Sequence, residues 1–340
     1  MSKLKLIVAI VFLCGCGVLI SYLFIFSLLG PADDTSSTEE VIQIKPGMSA
    51  TEIGSLLAEK GFIKSILLFR LASTLSRSNR SLKAGEYVLS RDMGTFQILR
   101  KIAAGEAVLY PFTIPEGVLL SRVAGYWEER GFGTAEDFLD VSRESVIREK
   151  YKIDSDSLEG YLFPDTYLFP HGISEREAID KMLRQLDKNV SDLMAAGRVA
   201  ESADTTAIDL SRHEIISLAS IIEREAGVEK EKPIISAVFH NRLRRDRKLE
   251  SCATVLYSLG YPRRKLTNKD LRNTKSPYNT YVHKGLPPGP ICNPGSGSIA
   301  AAISPSKDKY LYFVSKNNGT HYFTENYNDF LNAKRRYKDG

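Results

Sequence analysis

The sequence predicts an α+β protein, with two domains following a single N-terminal transmembrane helix. Three observations carry that reading. No charged residue occurs from Leu6 to Gly30, a strand, glycine turn and helix recur as two similar copies before residue 133, and the apolar spacing downstream of them is mostly helical. A chain of 340 residues is long enough for about two domains, and 43% hydrophobic with 26% charged residues is the balance of a chain that folds.

The uncharged run is long enough, at about 1.5 Å per residue, to cross a hydrocarbon core of about 30 Å. Lys3 and Lys5 precede it, and Asp33, Asp34, Glu39 and Glu40 follow. The positive-inside rule places the N-terminus in the cytoplasm and the rest outside, on the periplasmic or extracytoplasmic side of the inner (plasma) membrane. A cleaved signal peptide would have a shorter apolar core, and the faint lipoprotein-like Leu13-Cys14-Gly15-Cys16 stretch is followed by more apolar sequence. The expected organisation is a cytoplasmic stub and anchor over 1–30, a linker over 31–40, a duplicated α+β module over 41–150 and a helix-rich domain over 151–340.

The repeat is explicit. Ile44-x-x-Gly47, Ile53, Leu57 and Glu59-Lys60-Gly61-Phe62 are matched by Ile114-x-x-Gly117, Val123, Trp127 and Glu129-Arg130-Gly131-Phe132. Each copy reads as a short strand, a glycine turn and an amphipathic helix with a glycine end. Between them, residues 82–89 alternate as a strand and residues 95–104 as a short helix. A duplicated module of this kind also suits a glycan-binding or spacing role.

Residues 158–169 are rich in aromatics, which stack on sugar rings or pack a core. Ser174 and Glu177 form a capping box opening a helix. Ser211 and Glu214 form another, opening a helix expected to end at a left-handed Gly227. On this second helix Ile215, Leu218, Ala219, Ile222 and Ala226 make one apolar stripe, and Glu223 falls at its edge. A carboxyl there is partly desolvated, which favours the protonated form that a general acid needs. The alternative is a surface salt bridge by Glu223 or Glu225.

A helix is expected over 233–247, with the basic run 242–248 as a solvated face or a contact for an anionic substrate. A nucleic-acid partner does not suit a chain behind a membrane anchor. From Ser276 the chain is turn-rich, with prolines and glycines that brace or line a site. Two strands and a closing helix over 327–337 complete it. Neither the cysteine spacing nor the five histidines form a metal-binding pattern, and no cofactor is implied.

Several stretches resemble the YceG-like family of endolytic murein transglycosylases. They are Ala219-Ser220-Ile221-Ile222-Glu223-Arg224-Glu225, Val238-Phe239-His240-Asn241-Arg242-Leu243, Ser276-Pro277-Tyr278-Asn279-Thr280-Tyr281, Gly285-Leu286-Pro287-Pro288-Gly289, Asn293-Pro294-Gly295 and Glu159-Gly160-Tyr161 with Pro164-Asp165-Thr166-Tyr167. The resemblance runs from about Val41 to near the C-terminus. It implies a LysM-like module over 41–150 and a catalytic domain over 151–340 that cuts peptidoglycan glycan strands, with Glu223 as its catalytic acid.

The expected reaction breaks the bond between N-acetylmuramic acid and N-acetylglucosamine and leaves 1,6-anhydro ends, limiting the length of nascent strands. Asn241, Tyr278, Asn279, Thr280 and Tyr281 are candidate substrate contacts. The resemblance also implies penicillin-binding proteins as partners. Where many members carry an Asp-Pro pair, this chain has Cys252-Ala253, and Cys292 stands where a small residue is expected, which suggests a Cys252–Cys292 disulfide. Two alternatives stay open: a hydrolytic muramidase, which a second acid such as Glu225 or Asp165 would favour, and a noncatalytic glycan-binding scaffold of the cell-wall synthesis machinery.

Overall fold

The computed structural model describes the backbone of residues 3–76, 82–200, 208–260 and 266–338, and their side chains except those of residues 3–11, 14, 197–200 and 338. The chain divides into two compact units, Met1–Pro111 with Leu168–Ile173, and Phe112–Tyr167 with Ser174–Gly340. The division expected at 150/151 therefore falls inside the second unit. The two copies of the repeat, expected in one module, belong to different units.

In the first unit, α1 (Lys3–Leu29) is one continuous helix over the uncharged run. The anchor expected over 1–30 falls partly outside the described residues, and among those described no helix is long and apolar enough to cross a membrane. Next come β1 (Glu39–Ile44), α2 (Ala50–Glu59), α3 (Ile66–Leu75), β2 (Gly85–Ser90) and α4 (Thr95–Ala104). β1 and β2 pair antiparallel, with Val41 opposite Val88 and Ile44 opposite Gly85. Strand alternation turns Ile42, Ile44, Tyr87 and Leu89 to one face, where Ile53, Leu57, Phe69, Ile98 and Ile102 of the helices cover them. Burying each of these large side chains contributes about 1.5–3 kcal/mol.

The chain enters the second unit through β3 (Tyr110–Thr113), followed by α5 (Leu120–Glu129), α6 (Ala135–Ser142), α7 (Ser145–Lys150) and β4 (Thr166–Phe169). Both copies of the repeat take the expected local form. Gly47 and Gly117 have φ of 82° and 72° in the turns before α2 and α5, and Gly61 and Gly131 have φ of 74° and 72° just after them. Phe112, Trp127, Phe132 and Phe138 interlock as an aromatic cluster. The aromatic stretch 158–169 is core rather than a sugar platform, since Tyr161, Leu162, Phe163, Tyr167 and Phe169 are buried.

The rest of this unit is mainly helical. It comprises α8 (Glu175–Ala200), α9 (Arg212–Glu225), α10 (Lys232–Arg244), α11 (Cys252–Ser258), α12 (Asn268–Asn273) and α13 (Ser296–Ile303), then the antiparallel pair β5 (Tyr312–Ser315) and β6 (His321–Thr324), and α14 (Tyr327–Lys338). α13 packs on α8, α9 and α10, so it lies at the centre of the helical layer. Both expected capping boxes form, Ser174 with Glu177 and Ser211 with Glu214.

Two helix ends differ from expectation. α9 ends at Glu225 with an extended Ala226, and Gly227 is not left-handed. A side chain at Gly227 would strike the Gly319 carbonyl, so close approach rather than backbone freedom accounts for the glycine. α10 stops at Arg244 because Asp246 turns left-handed with φ of 51°.

Candidate active site

Glu223 sits in the last turn of α9, its side chain 10% exposed. Its Oε2 accepts hydrogen bonds from the Gly295 amide at 3.0 Å and the Ser298 hydroxyl at 2.6 Å, and lies 3.5 Å from the Lys232 Nζ. Gly295 caps α13 and Ser298 is in its first turn, so the carboxylate rests on the positive end of a helix. Oε1 has no hydrogen-bond partner among the described residues. One oxygen is anchored and the other is free to meet a ligand.

The turn that supplies Gly295 is stapled from several directions. The Asn293 side chain accepts from the Leu162 amide at 2.9 Å and donates to the Val118 carbonyl at 3.1 Å, while its own carbonyl accepts from the Gly117 amide at 2.8 Å. The Ile291 amide donates to the Ser220 hydroxyl at 3.0 Å. Gly117 leaves room for Glu223, whose Cγ would be 3.5 Å from a Cβ placed there, and its carbonyl accepts from Arg224 at 3.3 Å. The turn at residues 114–117 and the turn at residues 293–295 therefore close on Glu223 together.

This arrangement brings in residues that sequence reasoning missed. Lys232, 4% exposed, contacts Glu229, reaches Glu223 at 3.5 Å and has Glu116 at 3.8 Å. Burial works against its charge, but the hydrogen bond to Glu229 and the fields of Glu223, Glu229 and Glu116 outweigh it and raise its pKa above the usual lysine value. Burial, then repulsion from Glu223, pushes the Glu116 carboxyl above its usual range, with Lys232 pulling the other way. Glu116 and Glu223 are thus two carboxyls joined by one ammonium. One signal pointed to Glu116: the second repeat copy has it where the first has Pro46.

The other predicted residues are placed differently. Asn241 donates to the Asp308 and Tyr310 carbonyls at 2.9 and 2.8 Å and accepts from Arg244 at 2.5 Å. Asn279 donates to the Leu271 and Thr274 carbonyls and accepts from the Tyr281 amide. Thr280 bonds Thr254 and the Ser251 amide. Through these bonds all three residues brace loops. Buried backbone without regular structure needs such partners.

Tyr278 and Tyr281 are half-buried, Tyr278 against Tyr257 and Tyr281 with its hydroxyl 3.1 Å from the Cys252 thiol. Neither contacts Glu223. Nor do the two expected second acids, since Glu225 accepts from Ser251 at 2.5 Å and Asp165 caps its own turn at Thr166. The basic run is not a uniformly solvated face: Arg242 is buried on the Leu249 and Leu311 carbonyls, and Arg247 donates to the Tyr312 hydroxyl.

The expected disulfide is not formed, and Cys252 and Cys292 are both free thiols. Cys252 is exposed beside Tyr281. Cys292 is fully buried and donates to the Ser220 carbonyl at 3.4 Å. Near Cys292, burial pushes Glu159 up to about 7, although its Oε1 accepts from the Leu120 amide at 3.0 Å.

The profile of the YceG-like family matches residues 42–336. The endolytic murein transglycosylase of Bacillus subtilis is 33% identical over 334 residues, covering 93% of this chain and 90% of that protein. A protein of the same name from Streptococcus pneumoniae is 32% identical over 350 residues, of which the chain spans only 62% of the pneumococcal length. A crystal structure of a yceG-like protein from Listeria monocytogenes superposes with a TM-score of 0.57 at 32% identity, covering 87% of this chain and 99% of that one.

Proposed function

Since the chain belongs to the YceG-like family and shares its mixed α+β fold, we propose that it is a lytic transglycosylase acting on murein, with Glu223 as acid and base. The observation that carries this reading is the Glu223 carboxyl itself. It is held at one oxygen by Gly295, Ser298 and Lys232 and has no partner at the other among the described residues.

Protonated Glu223 gives its proton to the oxygen between N-acetylmuramic acid and N-acetylglucosamine as the C1–O bond breaks. The C6 hydroxyl of the muramic sugar then attacks C1, and its proton passes to the Glu223 carboxylate. A 1,6-anhydro ring forms, no water is consumed and the acid is restored. Lys232, the Gly295 amide and the Ser298 hydroxyl steady the carboxylate in between, a preorganised electrostatic contribution. Because the cut falls within strands, the enzyme would limit the length of nascent glycan.

The uncharged run in α1 supports anchoring in the inner or plasma membrane, with the catalytic unit outside. A LysM-like module holding glycan and penicillin-binding proteins supplying new strands fit the same reading. Glu116 favours a second one: two carboxyls flanking a glycosidic bond are the apparatus of a hydrolase, with Glu116 activating water. Borohydride separates the two, because it reduces the new ends left by a hydrolase and leaves anhydro ends untouched. New ends that resist reduction support the transglycosylase, and reducible ends overturn it.

A further inference from the structure

The first unit carries a surface that the candidate site does not use. α3 buries Phe69, Ala72 and Ser73 in the core and turns Leu67, Leu71 and Leu75 outward, at 62%, 49% and 82% exposure. Spaced every four residues, these leucines form one stripe along the helix. Phe96 of α4, also exposed, lines a depression together with Ser76 at the end of α3. A helix that is apolar on both its inner and outer faces has one face still to cover.

Charge says what covers it. Between Glu59 and Glu86 the sequence has no acidic residue, while exposed Lys64 and Arg70 lie just before and within α3. α1 ends beside the same helix, where the Lys64 ammonium donates to the Ser27 carbonyl at 3.3 Å and Leu29 packs on the core of this unit. Leucines flanked by cations, beginning where an apolar helix ends, fit the boundary between acyl chains and anionic headgroups. A second copy of this chain would instead set the same cations against each other.

We propose that α3 docks on the surface of an anionic bilayer, with Leu67, Leu71 and Leu75 in the acyl boundary and Lys64 and Arg70 among the headgroups. This rests on reading α1 as the anchor. The contact would fix where the first unit stands relative to the membrane.

The test uses the full chain in phosphatidylglycerol-containing vesicles, with p-benzoylphenylalanine placed at Leu71, at Val18 in α1, or at exposed Glu59 on α2. After irradiation, lipid adducts are measured by mass spectrometry. The expected result is adducts at Val18 and Leu71, each about tenfold above Glu59. Adducts at Val18 alone overturn the docking and leave the anchor standing. No adduct at either position overturns the anchor reading and the docking with it, and protein adducts in place of lipid at Leu71 overturn the choice of occupant.

Discussion

The Lys232 ammonium stands 3.5 Å from Glu223 Oε2, and both side chains are nearly closed to solvent. Removing the ammonium leaves the buried Glu223 carboxylate with the Gly295 and Ser298 hydrogen bonds but no counter-charge, a cost of about 3 kcal/mol. Lys232→Met is therefore expected to lower stability by about that amount in urea titration. In the protein that remains folded, kcat should fall about a hundredfold, since a preorganised charge beside the proposed acid is lost.

Glu116 is half exposed and, among the described residues, pairs with Lys232 at 3.8 Å, so its loss should spare the fold. Glu116→Gln is expected to leave the urea midpoint unchanged and to lower kcat roughly tenfold, read by release of soluble fragments from glycan strands. Gly295→Ala should act the same way, because a methyl there falls on the flexible end of the Glu116 side chain. Unchanged turnover in both variants would remove Glu116 from the site.

The helix bearing Glu223 and its capping box are legible in the sequence, because local hydrogen bonds and apolar periodicity determine them. So are the repeat's glycines, whose left-handed turns only glycine enters freely. The partners of Glu223 are not legible in this way. Glu116, Lys232 and the Gly295–Ser298 turn come from three separate segments, and Lys232 reads in isolation as part of an ordinary charged run. Polar residues in a turn-rich region look available in the sequence, while Asn241, Asn279 and Thr280 bond the backbone of neighbouring loops in the fold.

Glu159 predicts a pH dependence. Its carboxyl is pushed up to about 7 in the fold by burial, so the folded chain holds a proton that the unfolded chain releases near 4.5. Stability from this group is fully present below about 4.5 and is lost as pH rises through about 7, a change on the order of 3 kcal/mol. Glu159→Gln should flatten that slope in melting temperatures measured across the window. An unchanged slope would show that the carboxyl is not the cause.

The free thiols differ in reach. In a Cys14→Ser, Cys16→Ser background, a thiol reagent should modify Cys252 in the folded protein, more slowly than a free thiol because its pKa is raised by partial burial, and Cys292 only after denaturant opens the core. One phase in the folded protein and one denaturant-dependent phase is the expected result. Two phases without denaturant would contradict the burial, and no free thiol at all would restore the disulfide.

In the proposed reaction, Glu223 breaks a glycosidic bond in murein without using water. Full-length protein and its Glu223→Gln variant would be incubated with purified uncrosslinked peptidoglycan strands, and the products weighed by mass spectrometry. The expected products are fragments one water lighter than reducing muropeptides from the wild type and none from Glu223→Gln. Fragments carrying the mass of a reducing end, or equal cleavage by Glu223→Gln, would contradict it.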